Sequence, residues 1–270
     1  MVVSEGRAIL TAAAPLRQTV PDAPPPSAAH LIRKDPLADT LFVLFEAPEA
    51  TASEADLARV EAVLAALPGL AQAFVLTPTA PVGDQPFAAD GRGPALALEI
   101  DFADSAALTA ALAAPGVLAG LAALPSLAGC RVSHQPMSRR EFPVADAAFR
   151  LPPGGHPCTF LVQYPGTASD LAAWLDHYDA NHPPIMVRFP GIRAVSTFRP
   201  SETWSSALPF ARGTAMQRNK VVFDSGPALA AALASPVMAE MRADSTTFPP
   251  YAPRASHHPM DTRLVRPASR

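Results

Sequence analysis

Residues 174–199 read Trp174-Leu175-Asp176-His177-Tyr178-Asp179-Ala180-Asn181-His182-Pro183-Pro184-Ile185-Met186-Val187-Arg188-Phe189-Pro190-Gly191-Ile192-Arg193-Ala194-Val195-Ser196-Thr197-Phe198-Arg199. The first part has the spacing of an amphipathic helix, with Trp174, His177, Tyr178 and His182 near its end. Pro183-Pro184 predicts a stop there, since proline has no N–H to continue the ladder. A short apolar run, Ile185 to Phe189, leads to the turn Pro190-Gly191, and a strand from Ile192 to Arg199 follows. The stretch therefore sets ring side chains at a helix terminus beside a strand that carries Arg193, Ser196, Thr197 and Arg199.

Working outward, the order strand, helix, turn, strand belongs to a larger unit that the chain holds twice. In the first half, Leu41 to Phe45 is of strand length, and Ser53 can cap a helix with Leu57, Val60, Leu64 and Leu67 at helical spacing. Pro68-Gly69 turns that helix into a strand, Leu70 to Leu76. After a loop rich in Pro, Gly and Asp (Pro78 to Pro94) comes a third strand, Ala95 to Phe102. A second helix is capped by Asp104 or Ser105, and a fourth strand covers Arg131 to Met137. In the second half the same order uses Thr159 to Tyr164, a helix capped by Ser169, then Ile192 to Arg199, Gln217 to Phe223, a helix from Ser225 to Met241, and a strand within Ala255 to Arg266.

Three matches keep one register. Pro68-Gly69 corresponds to Pro190-Gly191, and Leu108, Leu112 and Pro115 correspond to Leu229, Leu233 and Pro236. Ser133-His134-Gln135-Pro136-Met137 corresponds to Ser256-His257-His258-Pro259-Met260. This internal register predicts an α+β fold of two tandem ferredoxin-like βαββαβ domains. Each unit has helices on one face of its sheet only, so the bare faces are expected to bury each other, sheet to sheet, as a pseudo-dimeric α/β barrel. The expected limits are a proline-rich N-terminal extension (1–36), a first domain (37–142), a linker (143–155) and a second domain (156–270).

The pattern Tyr178-x-x-x-His182-x-Pro184, followed by Pro190-Gly191 and by Arg199 eight residues after that glycine, resembles the EthD-like family. The resemblance implies ferredoxin-like domains that pair into dimeric α/β barrels, and it covers about a quarter of the chain. The related cofactor-free oxygenases and cyclases often carry a His in or just after the second helix. Here the matching segment, Ser235-Pro236-Val237-Met238, has none.

His182 is the leading candidate for chemistry: an imidazole in a cleft can move protons near neutral pH, or it can simply cap its helix. Tyr178, four residues earlier, can orient an oxygenated substrate or lock helix to sheet, and Trp174 extends the same aromatic stripe. The first half has neither His nor Tyr in its corresponding helix (Ala58 to Leu64), so the motif's chemistry is expected in the second half alone. His134 and His257, in equivalent strands, are placed to approach each other across the pseudo-axis or to pack at the interface between halves. Trp204 can lid a pocket or cover the core. Asp176 and Asp179 lie unfavourably near a helix C-terminus and call for partners among Arg188, Arg193 and Arg199. His257-His258 cannot share one ion, because neighbouring strand residues face opposite ways. No metal site is expected.

Composition narrows the classes. The chain has 270 residues, 49% of them hydrophobic, and a net charge of −3, which gives no pull toward nucleic acid or anionic membrane. It has 32 prolines, and its two cysteines, Cys130 and Cys158, sit in unrelated contexts. No phosphate loop, nucleophile elbow or CxxC motif is present. The expectation is a cytoplasmic enzyme without cofactor, acting on a small, mostly apolar, oxygenated compound by proton transfer of the lyase or isomerase type. His182 would be the acid-base group, Tyr178 and Arg199 would position oxygens, and Trp174, Trp204, His257 and His134 would complete the substrate site. The alternatives are a cofactor-free monooxygenase of an electron-rich aromatic and a non-catalytic binding or accessory protein. A homodimer is left open.

Overall fold

The structure is a computed structural model that describes residues 38–47, 49–79, 87, 90–114 and 116–268. The expected N-terminal extension, most of the 78–94 loop and Pro115 lie outside the described residues. Four strands and two α-helices come first: β1 (Ala38–Glu46), α1 (Glu54–Ala65), β2 (Leu70–Pro78), β3 (Leu96–Phe102), α2 (Ser105–Ala113) and β4 (Arg131–Phe142). Two short 3₁₀ helices, Val117–Ala123 and Pro125–Leu127, precede β4. Then follow β5 (Cys158–Tyr164), the two-residue β6 (Thr167–Ala168), α3 (Leu171–Met186), β7 (Ile192–Pro200) and the two-residue β8 (Ala211–Arg212). The chain closes with β9 (Gln217–Phe223), α4 (Gly226–Leu233), α5 (Val237–Ser245), the two-residue β10 (Tyr251–Ala252) and β11 (Ser256–Val265).

Local chemistry starts each helix where it starts. Ser53 accepts from the Asp56 amide at 3.2 Å, Asp104 from Ala107 at 2.8 Å and Ser225 from Ala228 at 3.3 Å, each satisfying an orphan donor of the first turn. The cap of α3 is Asp170, which accepts from the Ala173 amide at 2.9 Å; the expected Ser169 is one residue early. Gly69 turns α1 into β2 with φ +72°, and a Cβ there would sit 2.4 Å from that of Ala107, so only glycine fits.

Two helix boundaries differ from expectation. Helix α3 does not stop at Pro183-Pro184 but runs through both to Met186. The proline φ suits a helix; what is lost is the pair of amide donors that would reach the Asp179 and Ala180 carbonyls, and the ladder resumes with Val187 donating to Pro183 O at 3.1 Å. Conversely, the single helix expected from Ser225 to Met241 is broken into α4 and α5 around Pro236, which begins a new helix instead of continuing the old one.

Eight strands form one antiparallel barrel in the order β1-β3-β2-β11-β5-β9-β7-β4, closed by the β1–β4 pair. β8 adds a short parallel pair to β4, and β6 pairs with β10. The first four strands and the last four are therefore not stacked face to face as separate sheets. They join edge to edge, β2 to β11 and β4 to β7, so that no main strand is left with an open edge.

Strand alternation sorts side chains into three cores. Phe42, Leu44, Leu76, Met137, Phe198 and Met260 fill the barrel interior, flanked by the ion pairs Glu99–Lys220 and Asp101–Arg139. Outside the barrel, leucines and valines of β1 and β3 pack under α1, α2 and the 3₁₀ segment. The outer faces of β5 and β9 pack under α3, α4 and α5, where Trp174, Tyr178 and Tyr164 are buried. Among the described residues no single helix is long and apolar enough to cross a membrane.

Candidate active site

A cavity of about 590 Å³ lies between the outer face of β5, β9 and β11 and the helices α3, α4 and α5. Its walls are largely apolar, with Phe160, Val221, Leu229, Met238 and Met241 among them. Phe248 and Tyr251 close one side. Phe87 and Asp90, from the β2–β3 connection far away in sequence, close another. This volume and lining suit a small, mostly apolar molecule.

His182 enters the cavity from α3 with its ring 4.8 Å from Tyr178 and edge-on to Phe248 at 5.0 Å. It does not cap its helix. Its Nδ1 lies 2.6 Å from Oδ2 of Asp244, in the last turn of α5. Burial pushes the imidazole below its ordinary pKa, and the Asp244 carboxylate opposes that shift without cancelling it. The lowered pKa favours the neutral ring, and with Nδ1–H donated to Asp244 the basic nitrogen is Nε2.

A second pair repeats this arrangement. His257 Nδ1 lies 2.7 Å from Asp90 Oδ2, which also accepts the His257 amide at 3.0 Å. The ring stacks on Phe87 at 3.9 Å with 21° between planes, and lies 5.6 Å from Phe160. Here too burial lowers the imidazole pKa, and Asp90 works against it. Two His–Asp pairs accordingly face one cavity, and His257 slightly disfavours the protonated form of His182.

Tyr178 stands behind the cavity wall. It is fully buried, and its hydroxyl accepts from Asn219 Nδ2 at 2.7 Å and from Tyr164 at 3.4 Å. Asn219 and Tyr164 themselves line the cavity, so Tyr178 reaches it through them. Burial raises the phenol pKa of both tyrosines. Trp174 stacks on Tyr178 at 5.1 Å and is fully buried, a packing residue rather than a cavity wall.

Arg199 faces away. Its guanidinium holds Asp179 (Nε at 3.0 Å, Nη2 at 2.8 Å), Asp176 and the Leu175 carbonyl; because α3 runs on to Met186, these two acids lie in mid-helix and not at its end as expected. Arg140 joins Asp179 at 3.0 Å, while Arg188 and Arg193 pair elsewhere, with Glu240 and Asp224. Trp204 and His134 meet each other, rings 5.1 Å apart, against the core of the first four strands. Trp204 is stacked by Arg212 at 3.5 Å, and His134 Nδ1 meets the Ala211 carbonyl at 3.1 Å. His134 and His257 therefore do not approach each other: each points into a different helix-covered core.

The structure thus gathers His182 and His257 at one cavity, sets Tyr178 and Trp174 just behind it, and puts Arg199, Trp204 and His134 elsewhere. Asp244 and Asp90 were not legible in the sequence. Their pairings span 62 and 167 residues, and the only sequence signal is that a buried histidine needs a partner. Among the described residues no group of three or more His, Cys, Asp or Glu side chains is arranged to hold a metal ion.

The closed eight-strand barrel with outer helices is the dimeric α/β-barrel fold. Two solved structures share it along most of their length. An anthrone oxidase-like protein superposes with a TM-score of 0.56 at 13% identity, over 88% of this chain and 96% of that one. A provisionally named monooxygenase from Fusobacterium nucleatum superposes with a TM-score of 0.53 at 7% identity, over 86% and 95%. An EthD family protein from Bacillus halodurans C-125 aligns over 40% of this chain and 95% of its own, at 15% identity and a TM-score of 0.29. At these identities the first two likenesses show the fold alone. No family model and no curated protein matches the sequence.

Proposed function

We propose that the chain is an enzyme that moves a proton on a small, mostly apolar, oxygenated compound, using His182 as base and needing no cofactor. The observation that carries this reading is the His182–Asp244 pair: Nδ1 is held at 2.6 Å by a carboxylate, and the other ring nitrogen is left for a cavity lined mostly by apolar residues. A positioned neutral imidazole takes a proton from an acidic C–H or O–H, and Asp244 stabilises the imidazolium that results. Returning that proton to a different atom isomerises the compound; expelling a leaving group from the anion completes an elimination. His257, paired with Asp90, is a second group able to accept or return a proton within the same cavity. On this reading the chain is two ferredoxin-like units in tandem (37–142 and 156–270): the second carries the chemistry, and the first closes the barrel and lends Phe87 and Asp90.

Anthrone, the compound in the name of one structural neighbour, is a suitable first substrate because it is apolar, oxygenated and acidic at its ring CH₂. Its deuterium exchange in D₂O, followed by NMR, reports the proton step alone. The wild type is expected to speed the exchange, and His182→Gln to lose about 10²- to 10⁴-fold of that acceleration. Equal rates for the two proteins would overturn the assignment of His182. Oxygen uptake in the same assay would mark the monooxygenase alternative, which starts from the same deprotonation.

A further inference from the structure

The cavity has an apolar interior, but its charged lining is unbalanced. Among the described residues Asp90 is the one carboxylate in its lining and is engaged by His257, whereas two arginines, Arg242 and Arg254, also line it. Arg242 lies in the last turn of α5, two residues before Asp244; Arg254 lies three residues before His257 and near enough to affect the titration of His257 and Tyr251. Both side chains are exposed.

Neither guanidinium has a hydrogen-bond or ion-pair partner among the described residues. That sets them apart. With the exception of Arg266, every other described arginine is engaged: by a carboxylate in Arg59, Arg131, Arg139, Arg140, Arg150, Arg188, Arg193, Arg199 and Arg263. Arg92, Arg212 and Arg218 donate to neutral oxygens. Among the described residues guanidiniums are neutralised or occupied almost everywhere, and two of the three left open border the same cavity. An open guanidinium at the exposed border of a mostly apolar cavity suits a molecule whose apolar body is inside and whose outer end is a carboxylate, sulfonate or phosphate.

Building on the reading of the cavity as the substrate site, we propose that its substrate is an apolar, ring-bearing acid, with the anionic group at the rim held by Arg242 and Arg254 and the ring system inside, beneath His182 and His257. The arginines fix which end enters first, and so which atom His182 meets.

A matched probe pair tests this: 2-naphthoate and 2-naphthamide have the same ring and nearly the same shape, and only the first is charged. Their dissociation constants are measured by titration calorimetry on the full chain, and shifts of the His182 and His257 ring resonances locate the probe. The wild type is expected to bind naphthoate about tenfold more tightly than the amide, with the preference shrinking as salt is raised. In Arg242→Gln/Arg254→Gln, two exposed substitutions, naphthoate should fall to the level of the amide while the amide is unchanged. If both probes bind the wild type equally, or the double variant keeps the preference, the anion proposal is wrong and the cavity reading stands. If neither probe binds at millimolar concentration, the cavity reading itself fails and takes the proposal with it.

Discussion

Asp90 and His257 are 167 residues apart in the chain, yet the carboxylate of one lies 2.7 Å from Nδ1 of the other and also accepts its backbone amide. The contact ties the β2–β3 connection to the start of β11 and makes the cavity a composite of both halves of the sequence. Because Asp90 resists the fall in His257 pKa that burial causes, Asp90→Asn should lower that pKa further. Titration of the His257 ring by NMR checks it; an unchanged or raised value would mean the pair does not form in solution.

Tyr178→Phe separates a residue behind the wall from one in the cavity. The substitution leaves the Asn219 amide without its 2.7 Å partner inside the core, so stability should drop by about 1–3 kcal/mol. Affinity for a cavity probe should change less than threefold. Urea unfolding and probe titration on one preparation give both numbers, and a large loss of affinity with no loss of stability would place the phenol in the site after all.

Asp179 is almost fully buried and accepts from Arg140, Arg199 and Thr197. Replacing it with Ala takes the carboxylate from Arg140 and leaves Arg199 only Asp176 and the Leu175 carbonyl, and should cost about 1–3 kcal/mol. Arg199→Gln should likewise show itself in stability while leaving probe binding intact. A probe-binding defect without destabilisation would return Arg199 to the substrate site.

Acid should weaken the fold earlier than carboxylate titration alone would require. His134, His182, His257 and His258 all have pKa values lowered by burial. Below the unfolded-state value of about 6.5 the unfolded chain therefore binds more protons than the folded one, and stability falls as pH falls through that range. The depressed carboxylates Asp56 and Asp224 act in the same direction but only below about pH 4. Unfolding free energies at pH 7.0 and 5.5 should differ, and His257→Gln should reduce the difference. A pH-independent wild type across that interval would contradict the burial of these rings.

Much of the fold was legible because it rests on local signals. The caps Ser53, Asp104 and Ser225 and the positive-φ turn at Gly69 are written in a few adjacent residues, and β9 begins and ends at Gln217 and Phe223 as expected. Pro183-Pro184 misled because proline forbids a donor and not a helical φ, and near the end of a helix few donors are missed. Barrel closure was only half legible: the need to cover bare sheet faces follows from one-sided helices, but the choice of edge-to-edge seams depends on strand edges that composition does not mark. At the site, His182 and His257 stood out as residues, while Asp244 and Asp90 were invisible because nothing local distinguishes a carboxylate that will meet an imidazole across the fold.

The most direct measurement of the central claim needs no substrate. Long-range ¹H–¹⁵N correlation spectra of ¹⁵N-histidine-labelled protein at pH 7, with His182 assigned by loss of its signals in His182→Gln, report which ring nitrogen carries the proton. A neutral His182 protonated at Nδ1, toward Asp244, with an unprotonated Nε2 is the predicted result. Proton on Nε2, or a fully protonated ring at that pH, would leave no base facing the cavity and would contradict the account.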